Sequence, residues 1–547
     1  MLTYTPPDRR PAAEPARESL FLLMLLVFAW LWPGVFSHDL WNPAEPQLFA
    51  VIEENAGKTA WLPTLQGQPY FQAAPVYIGL AETLKELLSP WAADAYAAAR
   101  FASVLFTALG LAGSGMAAHR LFGAYYGRST VLILTGSAGL LGMGHFLSGM
   151  SVAFAAAGLC LWGLALVRRQ VLMAIFLCGT GMVLAGQAAG WLMAAAVWAV
   201  MLLLWRLPSW RGRRLLTVWA GTAAVVLPLA AAQLLALAKT DAAAFALYVD
   251  GHLFGAFGGL GGLNADFNLP YYARHVLWFA FPGWALAAWT VRSGVWRKQA
   301  EVWLPLGWLA VFALLLAVHP QRFQDNLVWL LPPLAVLGAL RLDSLRRGVA
   351  AFLNWFGMMT FGLAAVFLWL GFFAMNYGFP AKLAERAAYF SPYYVPEIKP
   401  MPMLVALAFT PLWLFAVTRK RIRGRQAVTN WAAGMTLVWA LLMTLFLPWL
   451  DAAKSYRPVV AQMTAALPEA GRAAVKNGTA CVYIESAEAQ MAWRQYADLP
   501  FDGANRRCAY RVYRVHPQTG QLPESAQVLW QGRRPRNKTE WFALVKQ

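Results

Sequence analysis

Charge is scarce in this chain. Only 13% of its 547 residues are Asp, Glu, Lys or Arg, while 59% are hydrophobic; a soluble domain is usually about a quarter charged. A soluble globular protein is therefore excluded, and a membrane composition fits. Acids are the scarcer sign, 26 against 45 Lys and Arg, for a formal net charge of +19. Four cysteines are too few for a disulfide scaffold. Cys160 and Cys178 lie in apolar runs and read as small hydrophobes. Cys481 and Cys508 lie in a polar tail, where pairing requires a compartment outside the cytoplasm. No P-loop occurs, and no G-x-G-x-x-G stands between a strand and a helix; the glycines of FGGLGGL read as a flexible loop. The 7 histidines show no H-x-x-H or H-E spacing. A divalent metal is thus unsupported by ligand spacing, and no cofactor is expected.

Long apolar runs are what the chain has in abundance. A helix needs about 20 apolar residues to span the hydrocarbon core. Runs that reach or approach this length lie near 19–36, 95–118, 129–146, 147–167, 171–187, 189–205, 215–238, 271–291, 302–318, 327–340, 349–375, 401–418 and 427–449. They predict an α-helical polytopic membrane protein with about thirteen transmembrane helices. The first run follows Arg9, Arg10 and Arg17 with no small-residue cleavage site after it, and reads as a retained signal anchor. With the N terminus in the cytoplasm, the inside segments carry 22 basic and 5 acidic residues, against 9 basic and 13 acidic on the other side up to residue 450. That is the positive-inside bias at every loop, so the cations set topology and are not a nucleic-acid surface.

Residues 1–450 form the predicted transmembrane domain, with extracytoplasmic loops near 37–94, 239–270 and 376–400. Tyr389, Tyr393 and Tyr394 of the third loop suit an interfacial belt. From residue 451 the composition turns soluble, and TACVYIES and CAYRVYRV alternate as strands do. Residues 451–547 are expected to form a small α/β domain on the periplasmic side of a bacterial inner membrane.

Loop one reads HDLWNPAEPQLFAVIEENAGKTAWLPTLQGQPYFQAAPVYIGL. It resembles the first loop of the GT-C glycosyltransferases, in particular the aminoarabinose transferase (ArnT) and protein mannosyltransferase group. There the loop runs roughly L-W-x-P-D-E-x-R-Y-A, then W-x-x-P-x-L-x-G-x-x-Y-F-E-K-P-P-L. Leu40, Trp41, Pro43 and Glu45 fit the first element; Trp61, Pro63, Leu65, Gly67, Tyr70, Phe71 and Pro75 fit the second. AARFASVLFTALG, HRLFG, HPQRFQDNLVWLLPPLAVL and SYRPVV continue the likeness. The resemblance implies transfer of a sugar from a polyprenyl-phosphate carrier to an envelope glycolipid or glycan acceptor, by in-line displacement with inversion. A loop-one carboxylate would act as base or orient the acceptor, and cations would face the leaving phosphate.

The sequence departs from that pattern at five polar positions. The family's D-E becomes Ala44-Glu45, its Arg becomes Gln47, its E-K becomes Gln72-Ala73, and the Asp expected early in the fourth helix is Gly149. The remaining candidates are Glu45 as base, helped by Asp39 or His38; Arg322 as phosphate ligand; Arg100, for a lipid phosphate or a salt bridge to a loop-one acid; and His252 and Asp266, with His275, along the cavity. Tyr70 and Gln72 fall at substrate-binding positions by the same resemblance. Two readings stand side by side: an active transferase with a rearranged site, and a catalytically inactive relative that binds polyprenyl phosphate or a partner subunit. A lipid-linked sugar transporter is disfavoured, because no inverted repeat is visible and polar residues gather at the outer boundary, not at the midplane.

Overall fold

The computed structural model describes residues 19–41, 44–58, 61–418, 424–484, 486–503, 507–515, 527–537 and 541–547. Arg9, Arg10 and Arg17, Pro43 of the loop-one motif, and Arg419, Lys420, Arg421 and Arg423 lie outside the described residues.

The chain is predominantly helical. Its first third holds α1 (Leu20–Leu31), α2 (Ala44–Glu54), α3 (Pro75–Leu88), α4 (Ala95–Phe122), α5 (Ala124–Thr135), α6 (Gly139–His145) and α7 (Met150–Leu166). Among the described residues seven helices are long and apolar enough to cross a membrane: Ala95–Phe122, Val171–Ala189, Arg213–Thr240, Ala300–Ala317, Arg347–Tyr377, Pro400–Val417 and Gly424–Leu445. Helices α6 and α7, bent by 111°, make an eighth if taken as one broken span. The thirteen apolar runs all contain helix, but the other six are short or interrupted. The run near 129–146 breaks between α5 and α6, and the run near 271–291 breaks between helices Leu269–Phe279 and Gly283–Arg292, where Pro282 stands. Hydropathy registers apolar side chains, not an unbroken ladder of backbone hydrogen bonds.

Helices α4 and α7 pack closely because glycines face one another. A Cβ added to Gly113 would lie 2.6 Å from the carbonyl carbon of Gly158, and one added to Gly158 would lie 2.6 Å from the Gly110 oxygen. Small residues at a crossing let two backbones approach, as membrane helices require where hydrophobic exclusion from lipid is absent. The outward faces remain apolar: Leu227, Leu229 and Leu235 on Arg213–Thr240, and Met401, Leu412 and Phe415 on Pro400–Val417, are all exposed.

Loop one is ordered by α2, α3 and the hairpin β1 (Thr64–Leu65) and β2 (Gln68–Pro69). A second hairpin, β3 (Gly258–Gly259) with β4 (Gly262–Leu263), lies in the glycine-rich second loop. The tail forms a four-stranded sheet of β5 (Val482–Ile484), β6 (Tyr510–Val515), β7 (Gln527–Gly532) and β8 (Trp541–Lys546), in the order β5-β6-β8-β7. Strand β5 runs parallel to β6 and the other pairs are antiparallel. Tyr456, Val460, Trp493, Phe542 and Leu544 build its core with the flanking helices. Cys481 and Cys508, brought together by the β5–β6 pairing, form a disulfide across 27 residues. Cys160 and Cys178 are free and buried.

Candidate functional site

The residues singled out in the sequence fall into three groups. The first gathers His38, Asp39, Glu45 and Arg100 beneath loop one. Pro43 and Pro46 flank the start of α2, which sets Glu45 in its first turn. The helix N-terminus suits a carboxylate there. Arg100 Nε donates to Glu45 Oε1 at 2.7 Å and its Nη2 to Oε2 at 3.2 Å. Its remaining donors reach the carbonyls of His38 at 3.0 Å and Asp39 at 2.8 Å. The backbone N–H groups of Trp41, at 2.9 Å, and Leu147, at 3.0 Å, complete the Glu45 carboxylate. Both side chains are buried, 0% exposed for Arg100 and 3% for Glu45. Burial works to raise the Glu45 pKa, but Arg100, His38 and the Leu147 N–H outweigh it and hold the carboxyl below its usual range. The pair thus joins loop one to α4 and to the α6–α7 break at once.

His38 is buried against Trp41 and Phe146, with ring nitrogens 2.7 Å from the carbonyls of Asp39 and Gly34. Burial and the neighbouring Arg100 lower its pKa to about 4, so the ring is neutral at pH 7 and donates to one of these carbonyls. Asp39 is tied elsewhere. Arg457 grips its carboxylate in a two-pronged manner, Nε to Oδ2 at 2.8 Å and Nη2 to Oδ1 at 2.5 Å.

Three residues of this group were not singled out in the sequence: Asp451, Lys454 and Arg457. Asp451 Oδ1 accepts from the Trp41 indole at 2.7 Å and from the Asp39 N–H at 3.1 Å. Burial, with the charge of Asp39 beside it, pushes its pKa up to about 7. Lys454 Nζ lies 4.7 Å from the centroid of the Trp41 ring. The only signal was the run WLDAAKSYRPV, where charge returns immediately after the last apolar run.

The second group surrounds Arg322. Its Nε donates to Asn268 Oδ1 at 2.7 Å, its Nη2 lies 3.8 Å from Asp266 Oδ2, and its side chain is 66% exposed. Asn268 is itself fixed by the His319 carbonyl at 2.8 Å. In the third group His252 stacks on Phe71 at 4.1 Å between ring centroids, so loop two leans on the second element of loop one. Tyr70 donates to Gln72 nearby, at 3.5 Å. His275 bonds the Tyr271 carbonyl at 2.7 Å. Among the described residues no ion pair joins Arg322 to a loop-one carboxylate, and no three His, Cys, Asp or Glu side chains are placed to hold a metal ion.

Loop one also meets the C-terminal domain directly. Leu40 N–H donates to the Tyr496 hydroxyl at 3.2 Å, Gln495 donates to Glu53 at 2.5 Å, and Gln66 donates to Gln490 at 2.8 Å.

A polytopic helical bundle, a long structured first loop and a small sheet domain seated on that loop make up the fold. ArnT from Cupriavidus metallidurans in the apo state has the same architecture, with a TM-score of 0.62 over 96% of this chain and 97% of that chain at 15% identity. The structure of that protein bound to undecaprenyl phosphate gives 0.60 over 96% of each chain, also at 15% identity. The Archaeoglobus fulgidus oligosaccharyltransferase in its apo form gives 0.46 over 88% of this chain and 64% of that one, at 12% identity. No protein-family model matches the sequence, and no curated protein matches it.

Proposed function

We propose that the chain is a membrane glycosyltransferase of GT-C type. It takes a sugar from a polyprenyl-phosphate carrier and passes it to an envelope glycolipid, glycan or protein at the extracytoplasmic face of a bacterial inner membrane. The observation that carries this reading is Arg322, an exposed guanidinium braced by Asn268 and Asp266 in the segment that resembles the family's phosphate setting. A guanidinium so braced has donors left for a lipid phosphate. The full-length likeness to a protein seen with undecaprenyl phosphate supports the choice of carrier. In this reading Glu45 and Arg100 hold loop one in place, which their four-donor carboxylate and complete burial favour, and neither touches the acceptor.

One observation favours the second reading, a non-catalytic relative that binds polyprenyl phosphate or a partner subunit. Both loop-one candidates are engaged, Glu45 by Arg100 and Asp39 by Arg457, while Ala44, Ala73 and Gly149 stand where the family carries polar groups. Loss of a general base costs about 10²–10⁴-fold in rate. The test is lipid analysis of a deletion strain beside one carrying Arg322→Ala, with undecaprenyl phosphate binding measured on the purified wild-type and Arg322→Ala proteins. The transferase reading expects a glycolipid to disappear on deletion and binding to weaken about tenfold in Arg322→Ala. Unchanged glycolipids with intact lipid binding would establish the second reading; no binding at all would remove both.

A further inference from the structure

We infer that helix Leu447–Lys454 supplies the acid and the cation that loop one lacks, with Asp451 as the proton acceptor and Lys454 facing the carrier phosphate. This rests on the transferase reading above. The resemblance places an acid where Ala44 stands and a cation where Ala73 stands, both in loop one. The two loop-one carboxylates singled out as candidates are occupied: Glu45 by four donors and Asp39 by the Arg457 fork. Asp451 reaches the same place from the other end of the chain, its Oδ1 bonded to the Trp41 indole and the Asp39 N–H. Those two bonds fix the carboxyl beside loop one, and among the described residues none donates to its Oδ2. Its pKa near 7 matches the work of a base at neutral pH. One helical turn on, Lys454 lies over the face of Trp41 and forms no ion pair among the described residues. The helix directly follows the Gly424–Leu445 span, which sets both groups at a membrane boundary, the level at which a lipid phosphate travels.

In the step so assigned, the acceptor hydroxyl gives its proton to Asp451 Oδ2 as its oxygen bonds to the anomeric carbon. The bond from that carbon to the carrier phosphate oxygen breaks, and the electron pair leaves on the phosphate, whose charge Lys454 offsets. Glu45 and Arg100 take no part.

The experiment complements the deletion strain with Asp451→Asn, Lys454→Ala or Lys454→Arg. It reads the glycolipid lost on deletion, undecaprenyl phosphate binding to the purified proteins, and their melting temperatures. Asp451→Asn keeps an oxygen for Trp41 and Asp39, so melting at neutral pH is no lower than in the wild type and lipid binding is retained, while product falls at least 100-fold. Lys454→Ala weakens binding about tenfold and Lys454→Arg restores most of it. Full complementation by Asp451→Asn, or unchanged binding in Lys454→Ala, overturns the inference and leaves the transferase reading standing. A deletion that alters no glycolipid overturns both.

Discussion

Arg100 and Glu45, fifty-five residues apart, form a buried ion pair at 2.7 Å, with further bonds from Arg100 to the carbonyls of His38 and Asp39 and to Glu45 from the N–H groups of Trp41 and Leu147. The sequence offered Glu45 as a base and Arg100 either for a lipid phosphate or for a salt bridge to a loop-one acid. The ion pair they form fastens the first loop to the helical bundle. Removing one member of such a pair leaves the other charge buried and alone, which costs about 3–5 kcal/mol. Arg100→Ala is therefore expected to lower the melting temperature and folded yield sharply, with Glu45→Gln intermediate. The check is thermal unfolding in detergent. A Glu45→Gln protein that melts like the wild type yet has lost all transfer would restore Glu45 as a base.

The Asp39–Arg457 pair should behave differently, because the Arg457 side chain is 59% exposed although Asp39 is only 12% exposed. Such a pair lies between a surface ion pair, at roughly 0–1 kcal/mol, and a buried one. Arg457→Ala is expected to lower stability less than Arg100→Ala does and to loosen the C-terminal domain from loop one. Limited proteolysis should then cleave between the last span and the sheet domain faster than in the wild type.

The acidity of Asp451 predicts how stability varies with pH. Its folded pKa, about 7, lies above the ordinary carboxylate value of 3.8. Between these values the folded state holds more protons than the unfolded one, so this group's contribution is full below about pH 4 and is lost as pH rises through about 7. His38 works the other way: with its pKa lowered from 6.5 to about 4, its contribution is lost as pH falls through that window. The two contributions oppose one another between about pH 4 and 6.5, so Asp451→Asn should uncover a loss of stability toward acid that the wild type masks. Melting curves of both proteins at half-unit steps from pH 4 to 8 read the difference.

Closing a loop of 27 residues with the Cys481–Cys508 bridge stabilises the tail by about 3–4 kcal/mol in the chain-entropy account. The Cys481→Ser, Cys508→Ser double variant should therefore unfold its sheet domain at a lower denaturant concentration while the helical bundle keeps its transition. Far-ultraviolet circular dichroism followed alongside tryptophan fluorescence separates the two.

Packing at the α4–α7 crossing gives a steric prediction. With the Gly110 oxygen 2.6 Å from where a Cβ would stand, Gly158→Val cannot be accommodated without parting the helices. Overpacking of this kind costs about 1–3 kcal/mol or more. The variant should accumulate poorly in membranes, whereas Gly348→Ala, where nothing lies within 4 Å, should accumulate normally.

Much of this molecule was written in its composition. Apolar runs had to become helices because lipid offers no partner for backbone groups, and the alternation in TACVYIES and CAYRVYRV placed two strands of the tail where β5 and β6 lie. The motif HDLW…AEP marked loop one, and Arg100 was legible as a charge that needed a partner. Continuity was not legible, because hydropathy does not see the breaks at Gly136–Ala138, Phe146–Gly149 and Ala280–Pro282 that leave, among the described residues, seven long spans and one bent pair. Pairing was not legible either. Glu45 could have faced an acceptor or Arg100, and only the folded chain, which carries α4 beneath loop one, made it the buried half of an ion pair. Asp451 and Lys454 looked like the ordinary return of charge after a last helix. It took the tertiary structure, seating that helix against Trp41 more than 400 residues upstream, to bring a carboxyl and an ammonium group beside the first loop.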